Sequence, residues 1–178
     1  MNNRFILYVC PTDDLAQQLD EYFYHSQQQC GKNPAHQYMP HCTLTGFFQD
    51  SQASVPLYTA TIESVLATAN TTKPDPVATV TQLLFLPHWH GLIITSPWLK
   101  TLTQAFAAQA ISPTRQEALR LKDWLHISLA YEFDPAQAAR LQQLAEALVD
   151  PSAAVGWELR LYQRSPQNEW TDHGVWRL

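Results

Sequence analysis

Two four-residue stretches with one shared alternation, His41-Cys42-Thr43-Leu44 and His126-Ile127-Ser128-Leu129, constrain this chain more than any other feature. Side chains on a β-strand alternate between its two faces, so each copy turns a histidine and a hydroxyl to one side and two apolar residues to the other. One such triplet is what chance supplies to a chain with seven histidines. Two, each inside a strand pattern, ask for a fold that buries one face of both strands and shows the other.

The segments around the two stretches repeat in order. Phe5 to Cys10 is a continuous apolar run closed by Pro11, the mark of a strand buried on both faces. Asp13 and Asp14 are expected to cap a helix, with Gln17 completing the cap, Leu15, Leu19, Tyr22 and Phe23 on one stripe, and an end near Gln29 before Gly31 and Pro34. A motif strand over 41–48 leads to a second helix started by Asp50 or Ser51, with Val55, Tyr58, Ile62, Leu66 and Ala69 inward. After a linker from Asn70 to Pro76, strands are predicted over 77–85 and 91–95, with a turn from Pro87 to His90. Ser96-Pro97 opens a third helix carrying Leu99, Leu102, Phe106 and Ala110 on its buried stripe, and 111–123 is a polar loop. The second motif strand spans 124–133, Asp134-Pro135 caps a fourth helix with Leu141, Leu144, Ala145 and Leu148 inward, and strands near 155–162 and 169–177 finish the chain. The order is strand, helix, motif strand, helix, strand, then nearly the same again with one strand added. Two such lobes related by a pseudo-twofold set the motif strands on either side of one cleft, and the 178 residues are expected to form a single domain around it.

Composition narrows the partners. A net charge of −5 and a pI near 5.7 argue against duplex DNA, whose binding needs many phosphates neutralised, and leave room for a small nucleotide. Cys10, Cys30 and Cys42 are odd in number, lack Cys-x-x-Cys spacing and read as reduced thiols. Met1-Asn2-Asn3-Arg4 runs straight into a strand without a signal-peptide core, and no apolar stretch reaches the ~20 residues of a membrane span, so a cytoplasmic protein off the membrane is expected. Five glycines and no Gly-x-x-x-x-Gly-Lys run speak against ATP use. His88 and His90 share alternation but lie in a turn with no third ligand nearby, so no metal is expected. Trp89 and Trp98 offer faces on which a base stacks. Oligomeric state is not readable.

Two imidazoles opposed across a cleft supply acid and base at once: the neutral one takes a proton from water, the protonated one gives a proton to a leaving oxygen. The hydroxyls of Thr43 and Ser128, two residues along each strand, are placed to bind the non-bridging oxygens of a phosphodiester. These residues carry a resemblance. The paired His-x-Thr/Ser motifs resemble the two-histidine (2H) phosphoesterase superfamily. The runs Cys30-Gly31-Lys32-Asn33, Ala35-His36, Pro40-His41-x-Thr43-Leu44, Phe47-Phe48 and Leu125-His126-x-Ser128-Leu129-Ala130-Tyr131-x-Phe133 resemble the phosphodiesterase domain of the vertebrate suppressor-of-T-cell-receptor-signalling proteins.

That resemblance covers about Arg4 to Tyr162 and implies an α+β, bilobal 2H phosphoesterase fold: two pseudo-symmetric lobes of antiparallel sheet with outer helices around a central cleft. It implies that His41 and His126 are the catalytic pair and that Thr43 and Ser128 bind phosphate, with His126 activating water and His41 protonating the leaving oxygen. Tyr131, five residues after His126, matches an aromatic at the substrate. Lys32 offers a cation to phosphate and His36 shares its loop. Ser128 stands where Thr is commoner, which keeps the hydroxyl. The expected activity is metal-independent, cofactor-free hydrolysis of 2′,3′-cyclic phosphates on nucleotides or RNA 3′-ends. The rival expectation is a module that binds a nucleotide or RNA end without turnover.

Overall fold

The computed structural model describes residues 3–167 and 169–178, so Met1 and Asn2, part of the expected N-terminal lead, lie outside the described residues. Among the described residues, eight strands join in one sheet: β1 (Asn3–Pro11), β2 (Cys42–Thr43), β3 (Phe48–Asp50), β4 (Thr79–Leu86), β5 (Trp89–Thr95), β6 (His126–Tyr131), β7 (Trp157–Arg164) and β8 (Trp170–Arg177). The order is β4-β5-β6-β2-β1-β7-β8, with β3 also paired to β1, and every pairing is antiparallel. The helices α1 (Asp13–Cys30), α2 (Val55–Ala69), α3 (Pro97–Gln109) and α4 (Ala138–Leu148) pack as the pairs α1 with α4 and α2 with α3. This is the expected α+β arrangement, with the halves β4-β5-β6 and β2-β1-β7-β8 fused at the single step Cys42↔Ile127 between the motif strands. Among the described residues, no helix is long and apolar enough to cross a membrane.

Both faces of β1 are buried, as its unbroken apolar run requires. Phe5, Leu7 and Val9 enter the main core with Leu15, Leu19 and Tyr22 of α1, Tyr58 and Ile62 of α2, and Leu99 and Phe106 of α3. Ile6, Tyr8 and Cys10 face the other way, with Tyr162 and the partly buried Met39, Phe47 and Trp170. The helices thus cover one face of the sheet, and the opposite face is left for a site. Cys42, Leu44, Ile127 and Leu129 join the helix-side core, which turns His41, Thr43, His126 and Ser128 to the open side.

Helix starts differ in how well they follow local rules. Ser96 accepts the Leu99 N–H at 3.0 Å, the N-cap its place before Pro97 implies. The box expected from Asp13, Asp14 and Gln17 does not form: Thr12 is the N-cap, it makes no side-chain cap bond, and Asp13 sits at φ 59°. Ser51 and Asp134 each accept the N–H two residues on, at 3.2 and 3.0 Å, and start a short 3-10 turn that runs into α2 and α4.

The first motif strand is much shorter than the expected 41–48, for a local reason. The Thr45 hydroxyl takes the Leu7 N–H at 3.1 Å, and Gly46 N donates to Arg120 O at 2.7 Å. The regular ladder with β1 therefore stops after Thr43, Leu44 and Thr45 both turn to Leu7, Thr45 also pairs with Leu121, and the ladder resumes only at Phe48. That detour ties the 111–123 loop to the first motif. Buried Asp50 fixes the loop's other end by accepting from Thr114, Tyr58 and the Ser51 N–H. Burial alone would raise this carboxyl; the hydrogen bonds outweigh it and hold Asp50 at about 2.

Candidate active site

A cleft of about 580 Å³ opens on the side of the sheet away from the helices, and both motif strands line it. Because β2 and β6 run antiparallel with Cys42 opposite Ile127, His41 falls across from Ser128 and Thr43 across from His126. Each histidine thus has one motif hydroxyl two residues along its own strand and the other beside it. The structure brings all four together.

The two imidazoles are held in the same way. His41 Nδ1 lies 2.7 Å from the Met39 carbonyl and His126 Nδ1 3.1 Å from the Trp124 carbonyl, in each case two residues upstream. A carbonyl only accepts, so Nδ1 carries the proton and Nε2 of the neutral ring is left with a free lone pair. Ring stacking adds a second restraint. His41 lies on Tyr8 at 3.9 Å between centroids and 30° between planes, and His126 lies against Trp124 at 4.2 Å and edge-on to Trp89 at 5.2 Å.

Burial lowers the pKa of both. It pulls His41 down to about 4, the Met39 carbonyl opposing this and the facing His126 adding to it. His126 is lowered by burial, opposed by the Trp124 carbonyl and helped by the charge of Lys122. Tyr131 also lines the cleft, and burial raises its phenol.

Ser128 has a partner that was not foreseen. The Trp89 indole N–H donates to its Oγ at 2.9 Å, which fills an acceptor position and leaves the hydroxyl proton for a bound anion. Gly91 makes this contact possible: a Cβ there would stand 2.4 Å from the Trp89 ring and 2.3 Å from the Ile127 carbonyl. Gly91→Ala is expected to cost about 1–3 kcal/mol of stability, read as a lower denaturation midpoint. Trp89→Phe keeps the ring and removes the donor, and is expected to lower kcat/KM about 2- to 10-fold, as the loss of one hydrogen bond would.

The other expected residues divide. Trp89 is in the cleft, but its indole edge serves Ser128; Trp98 is buried between α2 and α3, its N–H donating to Ala69 O at 3.2 Å, and cannot stack a base there. Lys32 is exposed and does not line the cleft, because Asn33 and His36 close a capping box that turns the loop away. His36 bonds Ser26 Oγ at 3.0 Å and the Asn33 N–H at 3.1 Å, so it fastens the loop and faces a separate, smaller hollow beside α1. His88 reaches the cleft while His90 is buried against Phe85 and Phe133, so the two do not converge. Among the described residues, no three His, Cys, Asp or Glu side chains gather as a metal site. Sequence reasoning missed Arg120, Lys122, Trp124 and Tyr38 on the cleft wall. The alternation Arg120-Leu121-Lys122 just before the second motif was the available signal for the first two.

No protein-family model matches the chain. It is 30% identical over 165 residues to the Mus musculus ubiquitin-associated and SH3 domain-containing protein B, covering 90% of this chain and 25% of that protein. It is 32% identical over 179 residues to the Bombyx mori ecdysteroid-phosphate phosphatase, covering 98% of this chain and 26% of that protein. The chain therefore spans about a quarter of the length of the curated relatives it matches. Among solved structures, E. coli LigT complexed with ATP matches it with a TM-score of 0.51 at 18% identity, covering 100% of this chain and 99% of LigT, a likeness of fold. Both motifs face one cleft on this fold, and the relatives together with the likeness of fold to LigT support the two-histidine phosphoesterase superfamily. Within it, the chain is similar to the phosphodiesterase domain of the suppressor-of-T-cell-receptor-signalling proteins.

Proposed function

We propose that the cleft hydrolyses 2′,3′-cyclic phosphates, on nucleotides or at RNA ends, to phosphomonoesters without a metal. The observation that carries this reading is the matched anchoring of His41 and His126, which leaves two Nε2 atoms and two hydroxyls facing one cavity. Thr43 and Ser128 hold the non-bridging oxygens. One imidazole takes a proton from water as the water oxygen bonds to phosphorus; the other gives its proton to the ribose oxygen as the P–O bond of the ring breaks. The LigT complex with ATP is in keeping with a nucleotide in such a cleft.

The two roles follow from burial. The resemblance implies His126 as base and His41 as acid. In the free protein burial holds His41 at about 4, which keeps its ring neutral near pH 7, and burial lowers His126 as well. A neutral His41 suits the base, which leaves the acid to His126, the reverse of the order the resemblance implies.

The test is turnover of the four 2′,3′-cyclic mononucleotides with EDTA present. Product from at least one is the expected result. Saturable binding of a 2′- or 3′-nucleotide with no product over hours would replace this reading with that of a binding module.

A further inference from the structure

The cleft wall carries two cations beside the histidine pair. Arg120 and Lys122 both line it, on a chain whose net charge is −5. Among the described residues, neither forms an ion pair with a carboxylate. Arg120 spends one N–H on Phe47 O at 3.2 Å, and its planar fork keeps others free.

These cations are held in place by backbone. Gly46 N donates to Arg120 O at 2.7 Å, Lys122 N donates to Leu44 O at 3.0 Å, and Leu121 bridges to Thr45 between them. A two-residue spacing across that bridge sends Arg120 and Lys122 to the same side. The Arg120 guanidinium lies against Gly46, where an added Cβ would meet it at 3.2 Å. Gly46 is three residues past Thr43, which sets Arg120 up to about 10 Å along the wall from the motif hydroxyl. At the opposite end of β6, Glu132 contributes a carboxylate to the cleft. The cavity is therefore polarised along β6, positive before its first residue and negative after its last.

Resting on the phosphodiesterase reading of the cleft, we propose that Arg120 and Lys122 form a second phosphate site, so that the preferred substrate carries another phosphate beside the one at His41 and His126. A nucleotide with its reacting phosphate between the histidines turns its remaining phosphate toward the cations, because Glu132 repels it from the other end. The second group is either a 5′-phosphomonoester or the next phosphodiester of an RNA chain.

Equilibrium binding of adenosine 3′-monophosphate and adenosine 3′,5′-bisphosphate tests this without requiring turnover. The bisphosphate is expected to bind about tenfold or more tightly, with the steeper loss of affinity as salt rises. In Arg120→Gln/Lys122→Gln the two nucleotides are expected to bind equally, and Arg120→Lys keeps part of the preference. Both side chains are exposed, and the single variant Lys122→Gln, whose side chain does not pack on Gly46, repeats the test if the double variant fails to fold. Equal binding by the wild type, or a preference that survives in the double variant, overturns the second site and leaves the catalytic reading standing. Failure of both nucleotides to bind overturns the two together. Relative kcat/KM for a 2′,3′-cyclic mononucleotide, its 5′-phosphorylated form and a dinucleotide ending in the cyclic phosphate then shows which source supplies the second phosphate.

Discussion

Replacing His41 or His126 by alanine is expected to lower kcat for a 2′,3′-cyclic mononucleotide by about 10²- to 10⁴-fold, the range for losing a positioned acid or base. Each imidazole has one ring nitrogen committed to a backbone carbonyl and the other free, so neither can take over the second role without turning its ring off that anchor. The double variant should fall little below the worse single variant, because an acid without a base gains little from remaining. Steady-state rates on the three variants measure this. His41→Asn is a useful companion, since it keeps a polar group against the Met39 carbonyl while removing the titrating ring. Near wild-type turnover by either single alanine variant would remove that histidine from the chemistry.

A substrate whose leaving group needs no proton separates the two variants. On a p-nitrophenyl phosphodiester the acid becomes dispensable and the base does not. His126→Ala is expected to recover to within about tenfold of the wild type, while His41→Ala stays about 10²-fold or more below it. The motivation is the burial of His41, which holds it at about 4 and so keeps it neutral and able to accept a proton. Rescue of His41→Ala in place of His126→Ala would assign the roles the other way, as the family resemblance implies.

Much of the framework was legible in the sequence because it follows short-range periodicity. The two-sided burial of β1, the inner stripes of α1 and α3, and the Ser96 cap all read directly from residue spacing. What escaped depends on irregular pairing. Strict alternation from His126 would send Tyr131 to the helix side with Ile127 and Leu129. The register shift between His90 and Gly91 against β6 absorbs one residue and returns Tyr131 to the cleft. The same kind of event shortened the first motif strand: the Thr45 hydroxyl takes the Leu7 N–H of β1 in place of a backbone carbonyl, Gly46 N–H turns to Arg120 O, and Arg120 and Lys122 thereby reach the site. Lys32 was the cation that sequence proximity to His41 suggested. Proximity failed because Asn33 and His36 bond to each other and fold the intervening loop back on α1. Trp89 was visible as an aromatic, but its hydrogen bond to Ser128 crosses between strands and needs Gly91 beneath it.

The pH dependence of kcat/KM on a 2′,3′-cyclic mononucleotide bears most directly on the pairing of the two imidazoles, since the substrate diester does not titrate across the range. With the proposed roles, activity needs His41 neutral and His126 protonated. It should fall as pH drops through the lower ionisation near 4, and fall again as pH rises through the upper one, which burial keeps below the ordinary 6.5 of histidine. The expected result is a bell with its maximum between about 4 and 6.5, reduced to a single limb in His41→Ala and His126→Ala. A rate that is flat from pH 4 to 8, or a bell unchanged in shape when either histidine is replaced, would contradict it.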